Sequence, residues 1–142
     1  MSPAPERPLG GRRDGRLQIG RVAELCGLSL RTVRYYEEQG LIAPDARSEG
    51  GFRLYTDEQV QRLLLIKQMK PLGFTVAEMR ELLDARDLMR AGGEGAAEAG
   101  ERLGAYAADA AARCEELRER LGRAEEFAAA LRAETAASAP IT

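Results

Sequence analysis

Apolar positions recur along the chain with changing period, and the changes divide it into elements. Between Leu17 and Gln39, Val22 and Leu25, then Leu28, Leu30 and Val33, form two short stripes at helical spacing. Cys26-Gly27-Leu28-Ser29 separates them. Glycine accepts the positive φ of a tight turn, and Ser29 is a good N-cap for the second helix. Gly40 stands where a helix commonly ends. The spacing predicts a helix–turn–helix over residues 19–38. From Leu41 to Tyr55 the helical period lapses. Leu41-Ile42-Ala43 and Phe52-Arg53-Leu54-Tyr55 are β-compatible runs around Pro44, Asp45, Ser48, Gly50 and Gly51, which predicts a hairpin with an arginine-bearing tip.

Thr56 followed by Gln59 has capping-box spacing and predicts a helix from Asp57 to about Lys70 that buries Val60, Leu63, Leu64 and Met69. Pro71 clashes with the carbonyl four residues back, so the last turn is expected to be irregular before Gly73 stops it. Thr75 and Glu78 repeat the capping pattern ahead of a stripe of Val76, Met79, Leu82 and Leu83. After the glycine-rich break at residues 91–95, the segment 98–137 is rich in alanine and charge and free of proline. There Leu103, Ala107, Ala110, Cys114, Leu117, Leu121, Ala124, Ala128 and Leu131 alternate at spacings of four and three, every one apolar. That is a coiled-coil seam. A helix of this length is expected to have no place to fold back on so short a chain, so the seam predicts a partner helix, most simply from a second copy.

Charge sharpens the picture. The chain has 142 residues and a formal net charge of -2, but residues 1–72 carry net +3 and residues 73–142 net -5, so only the first half suits a polyanion. There is no histidine, which removes the usual general base and the commonest transition-metal ligand. With two cysteines and no nucleophile elbow or phosphate-binding glycine loop, the reading is of a protein that is not an enzyme and holds no cofactor and no metal. Cys26 reads as a core thiol. Cys114 reads as a small apolar seam residue, with a redox contact between two copies as the alternative. Sparse free thiols fit a cytoplasmic location. No apolar run nears the ~20 residues of a membrane helix. Residues 1–15, rich in proline, glycine and arginine, lack the apolar centre of a signal peptide and are expected to be a disordered tail.

On the second short helix Arg31, Arg34 and Tyr35 share one face, and arginine forks match guanine edges and phosphates. Gln18-Ile19-Gly20-Arg21-Val22-Ala23, the run Leu28-Ser29-Leu30-Arg31-Thr32-Val33-Arg34-Tyr35-Tyr36-Glu37-Glu38-Gln39-Gly40-Leu41-Ile42, then Gly51-Phe52-Arg53-Leu54-Tyr55 and Leu72-Gly73-Phe74-Thr75, together resemble the MerR family of bacterial transcription regulators. The resemblance covers about residues 16–87 at the level of motifs and extends to the long helix by architecture. It implies an all-α fold with a small β-wing: a winged helix–turn–helix, a second helix pair and a long helix forming an antiparallel coiled-coil dimer. It implies a homodimer that binds a palindromic promoter site in double-stranded DNA and distorts it so that RNA polymerase, an indirect partner, can engage.

Residue by residue, the resemblance puts Arg31, Thr32, Arg34 and Tyr35 at the DNA, Arg47 and Arg53 of the wing on backbone or minor-groove contacts with Tyr55 nearby, and Tyr36 inside the hairpin. The implied organisation is a DNA-binding domain at 16–87 with its wing at 41–55, a linker at 88–97, the dimerisation helix at 98–137 and a tail at 138–142. Phe52 stands where many members have tyrosine, and Pro71 departs from the usual helical residue. The family's metal sensors carry cysteines at the start of the dimer helix and just beyond it. Here only Ala137 to Thr142 follow, without a thiolate pair, and no chain is left for a drug-binding domain. The expectation is a short member without a C-terminal effector domain, and no small-molecule effector is indicated. The rival reading is a coiled-coil interaction adaptor that keeps the helix–turn–helix without regulating transcription by itself.

Overall fold

In the computed structural model, residues 16–44, 46–47 and 53–138 are described. The expected N-terminal tail and the tip of the wing lie outside them. The elements are β1 (Arg16–Gln18), α1 (Ile19–Cys26), α2 (Leu30–Glu38), β2 (Ala46–Arg47), β3 (Arg53–Thr56), α3 (Asp57–Met69), a 3₁₀ turn (Lys70–Leu72), α4 (Val76–Ala91) and α5 (Ala96–Ala137).

The helix starts follow from their caps. Ser29 Oγ accepts from the Thr32 N–H at 3.0 Å. At α4 the box is complete: Thr75 Oγ1 accepts from the Glu78 N–H at 3.1 Å, and the Glu78 carboxylate accepts from the Thr75 N–H at 2.9 Å. At α3 only half of the expected box forms. Thr56 Oγ1 accepts from the Gln59 N–H, while the Gln59 side chain accepts from the Ala43 N–H at 2.9 Å. That loop N–H has no ladder partner, so it takes the amide oxygen and ties the wing's entry to α3. Pro71 sits at the start of the 3₁₀ turn, where its missing N–H costs nothing, and Gly73 ends the turn at φ 84°.

The small sheet departs from the sequence reading. Leu41-Ile42-Ala43 is not a strand: after Gly40 at φ 77°, Leu41 and Ile42 both turn into the core. Ala46–Arg47 pairs with β3 instead. The other edge of β3 pairs antiparallel with β1, a strand the helical pattern did not reveal, in the order β1-β3-β2. Leu17 faces Tyr55 across that pair, and both are fully buried. The core continues through Val22, Val33, Tyr36, Leu63, Ile66 and Leu83. Polar contacts bind its parts: Lys67 Nζ donates to the Cys26 carbonyl at 2.7 Å, and Arg62 donates to the Leu41 carbonyl and forks onto Asp87 at 2.6 and 2.8 Å.

The long helix also corrects an expectation. Its first half does fold back, lying along α4 after a turn at Gly92, Gly93 and Gly95, all with positive φ. The segment 88–97 is therefore helical at both ends and only its middle is a turn. Ala99, Leu103, Tyr106, Ala110 and Arg113 make the intramolecular face. Ala99 is fully buried, and Gly100 leaves room for Met89, whose sulfur lies 3.6 Å from where a Cβ would stand. Tyr106 donates to Glu81 at 2.6 Å. Arg113 lies 4.0 Å from the centroid of the Phe74 ring and donates to the Leu72 carbonyl, Glu78 and Asp109. Further along the helix the apolar stripe has no cover: Leu117, Leu121, Phe127 and Leu131 are exposed by 39, 58, 67 and 50%.

Candidate nucleic-acid interface

The recognition element is built around Gly27. At φ 66° it brings the chain from α1 into α2, and the Leu28 N–H donates to the Ala23 carbonyl at 2.9 Å. Val22, Ala23, Cys26 and Val33 are buried between the two helices, which fixes which face of α2 is left outside. That face carries Arg31, Arg34 and Tyr35, all exposed. Neither arginine is held by an ion pair or hydrogen bond among the described residues, so both guanidinium forks keep their donors available. Tyr35 is 45% exposed and leans on Tyr36, ring centroids 5.5 Å apart, while Tyr36 itself is buried as expected.

Thr32 is half-buried and its hydroxyl accepts from Ser29 Oγ at 2.9 Å, so it belongs to the N-cap as well as to the helix start. On the wing, the β2–β3 register sets Arg47 opposite Arg53, so two basic residues occupy one rung. Tyr55 corrects the expectation that placed it near DNA. It is fully buried, and its hydroxyl donates to Glu37 on α2 at 2.8 Å. Tyr55 pairs with Leu17 across the β1–β3 ladder, and from there its hydroxyl reaches Glu37 and braces α2 from behind.

The thiols differ in setting. Burial pushes the Cys26 thiol above its ordinary pKa, against a smaller opposing pull from Lys67. Cys114 is half-buried and unpaired by any disulfide. Of the seam residues, Leu103, Ala110 and Cys114 are half-buried, whereas Ala107, Leu117, Leu121, Ala124, Ala128 and Leu131 are exposed. Leu103 and Ala110 lean on their own chain, a role shared with Tyr106 and Arg113, which sequence reasoning missed. The signal was present: Ala99, Leu103, Tyr106, Ala110 and Arg113 also alternate at four and three, but Tyr106 and Arg113 read as polar surface. Among the described residues, no group of three or more histidine, cysteine, aspartate or glutamate side chains could hold a metal ion. No described helix is long and apolar enough to cross a membrane.

A capped two-helix turn with a basic, unengaged outer face, flanked by a strand wing, defines a winged helix–turn–helix protein. Comparison with known proteins agrees. Residues 17–86 match the MerR HTH family regulatory protein model. The mercuric resistance operon regulatory protein of Bacillus cereus is 44% identical over 72 residues, 51% of this chain and 54% of that protein. The regulator ZntR of Escherichia coli K12 is 44% identical over 69 residues, 49% of each. The chain thus spans about half the length of the curated relatives it matches. Among solved structures, a putative MerR family transcriptional regulator from Listeria monocytogenes superposes with a TM-score of 0.62 at 30% identity, covering 78% of this chain and 82% of that one. HiNmlR, a MerR family regulator lacking the sensor domain and bound to promoter DNA, shares the fold at a TM-score of 0.68 and 23% identity, over 85% of this chain and 94% of that one. The chain belongs to the MerR family of DNA-binding transcription regulators, which are not enzymes.

Proposed function

We propose that this protein is a homodimeric, sequence-specific transcription regulator of the cytoplasm that binds a palindromic promoter site and distorts it for RNA polymerase. The observation that carries the reading is the outer face of α2, where Arg31 and Arg34 stand exposed beside Tyr35 with no partner among the described residues. Arginine at such positions reads guanine edges bidentately, while Thr32 and Tyr35 supply hydroxyl donors for phosphates. Arg47 and Arg53 extend the contact from the wing onto the backbone. The uncovered stripe from Leu117 to Leu131 supports the dimer, because an apolar seam of this length is stable only when covered. Two modules tethered on one palindrome make the second contact intramolecular, which raises affinity by ~10²–10⁴.

Selection from random double-stranded DNA by the full chain tests the proposal. The expected product is two inverted half-sites at a fixed spacing. Absence of any enriched sequence, with a folded dimeric protein, would leave the adaptor reading in its place.

A further inference from the structure

The last carbonyls of a helix have no partner within it. In α1 and α2 two of them are met by cations from other helices. The Cys26 carbonyl, the last of α1, accepts from Lys67 Nζ of α3 at 2.7 Å. The carbonyl of Gln39, the C-cap of α2, accepts from the Arg80 guanidinium of α4. A cation at a helix C-terminus also meets the negative end of the macrodipole. Just beyond α2, the Leu41 carbonyl accepts from Arg62 Nε at 3.1 Å, and the same guanidinium forks onto Asp87 of α4 at 2.6 and 2.8 Å. The three donors lie 41, 41 and 21 residues from their carbonyls, so these bonds tie the helix–turn–helix to what packs against it and do not build its helices.

The same stretch of α4 is tied to α5. Glu78 accepts from Arg113 at 3.2 Å, and Glu81 accepts from the Tyr106 hydroxyl at 2.6 Å. One helical turn, residues 78–81, therefore holds the long helix with two carboxylates and the recognition helix with one guanidinium. Resting on the reading of a dimer on a palindrome, we infer that Arg80 and Lys67 are positioning residues. They hold α2 at a fixed attitude to α4 and α5, and so set how strictly the dimer measures the spacing between its two half-sites. Neither has to touch DNA to do this.

The reason is geometric. The separation of the two recognition helices is the sum of three links: α2 to α4, α4 to α5, and α5 to the second copy. Changing the half-site spacing by one base pair moves one half-site by ~3.4 Å along the duplex and turns it by ~34° about the axis. A hydrogen bond to a carbonyl weakens steeply when stretched past ~3.2 Å or bent below ~120°. A helix–turn–helix held at Cys26 and Gln39 therefore cannot follow that displacement without losing both bonds. Released from them, it is held through the burial of Val22, Cys26 and Val33, which resists separation but has no preferred direction. Such a module tilts more readily, and the dimer accepts a wrong spacing at lower cost.

Arg80→Met and Lys67→Met in the full chain test this; both residues are exposed, so the core is left intact. The probes are duplexes carrying the inverted half-sites selected by the natural chain: at the selected spacing, with one base pair added, with one removed, and as a single half-site. The natural chain should bind the altered spacings more weakly than the selected one. Each variant should lower that ratio of affinities by about fivefold, the worth of one net hydrogen bond, while its affinity for the single half-site stays within about twofold. Arg80→Lys keeps a donor and should restore the ratio. Arg86→Met removes a charge from the same helix, where the partner is Glu58, and should leave the ratio unchanged. An unchanged ratio in both folded methionine variants overturns the positioning role while the reading of a dimeric regulator stands. So does a loss of affinity that is equal at all spacings and on the single half-site, and so does a natural chain that binds all spacings alike. A natural chain that selects no inverted repeat, or that sediments as a monomer, overturns both.

Discussion

Tyr55→Phe separates bracing of the recognition helix from contact with DNA. The ring stays, so the packing against Leu17 is kept, and only the hydroxyl that donates to Glu37 at 2.8 Å is lost. A hydrogen bond to a charged acceptor is worth about 1.5–3 kcal/mol net, and the half-buried carboxylate can recover part of this from water. The expected loss of stability is therefore about 1–2 kcal/mol, which lowers Tm by about 4 °C or more for a domain of this size. Urea unfolding followed by circular dichroism measures the loss. Titration of the selected DNA at a temperature where both proteins are fully folded measures the contact. Because Tyr55 is fully buried, affinity should stay within about twofold. Unchanged stability together with affinity lowered severalfold would place the hydroxyl at the DNA and refute the bracing role.

Arg34→Ala should weaken specific binding by about 1–3 kcal/mol and relax selectivity at one base pair, whereas Arg53→Ala should weaken all sequences alike and flatten the salt slope by about one unit; mobility shifts at several salt concentrations distinguish the two. Leu117→Asp combined with Leu121→Asp places charges on the uncovered stripe and should give a monomer by sedimentation, with DNA affinity lowered about a hundredfold or more, and a variant that stays dimeric would remove the seam from the interface. The Glu81 carboxylate, by accepting from the Tyr106 hydroxyl, pushes that pKa up from 10 to about 12. The protonated phenol is the form that folding favours, so its contribution is complete below pH 10 and lost as pH rises towards 12. Stability should therefore fall more steeply over that window in the natural chain than in Tyr106→Phe, and parallel curves would contradict the assignment. Cys26 should escape alkylation in the folded protein and react only on unfolding, because it is buried and its thiolate disfavoured; mass spectrometry after a short pulse checks this.

Local signals carried much of this protein in its sequence. Ser29, Gly27 and Gly40 bound the helix–turn–helix because capping and positive φ depend on residue type and its immediate neighbours. Thr75 and Glu78 specify the start of α4 in the same way. The spacing of Arg31, Arg34 and Tyr35 placed them on one face, and the burial of Val22 and Val33 follows from the same period. What local pattern could not decide was pairing between distant segments. β1 is only three residues long and becomes a strand because β3 offers it an edge. Gln59 abandons its capping box for the Ala43 N–H, sixteen residues away, because that donor has no nearer partner. Tyr55 carries a polar tip that reads as surface, yet register turns it inward onto Glu37. On α5 two interleaved stripes share Leu103 and Ala110, and a periodicity cannot say which neighbour each will meet. The fold-back of the helix onto α4 gives Tyr106 and Arg113 to the chain's own core and leaves Leu117 to Leu131 uncovered, since burial is a property of what lies opposite a residue and not of the residue alone.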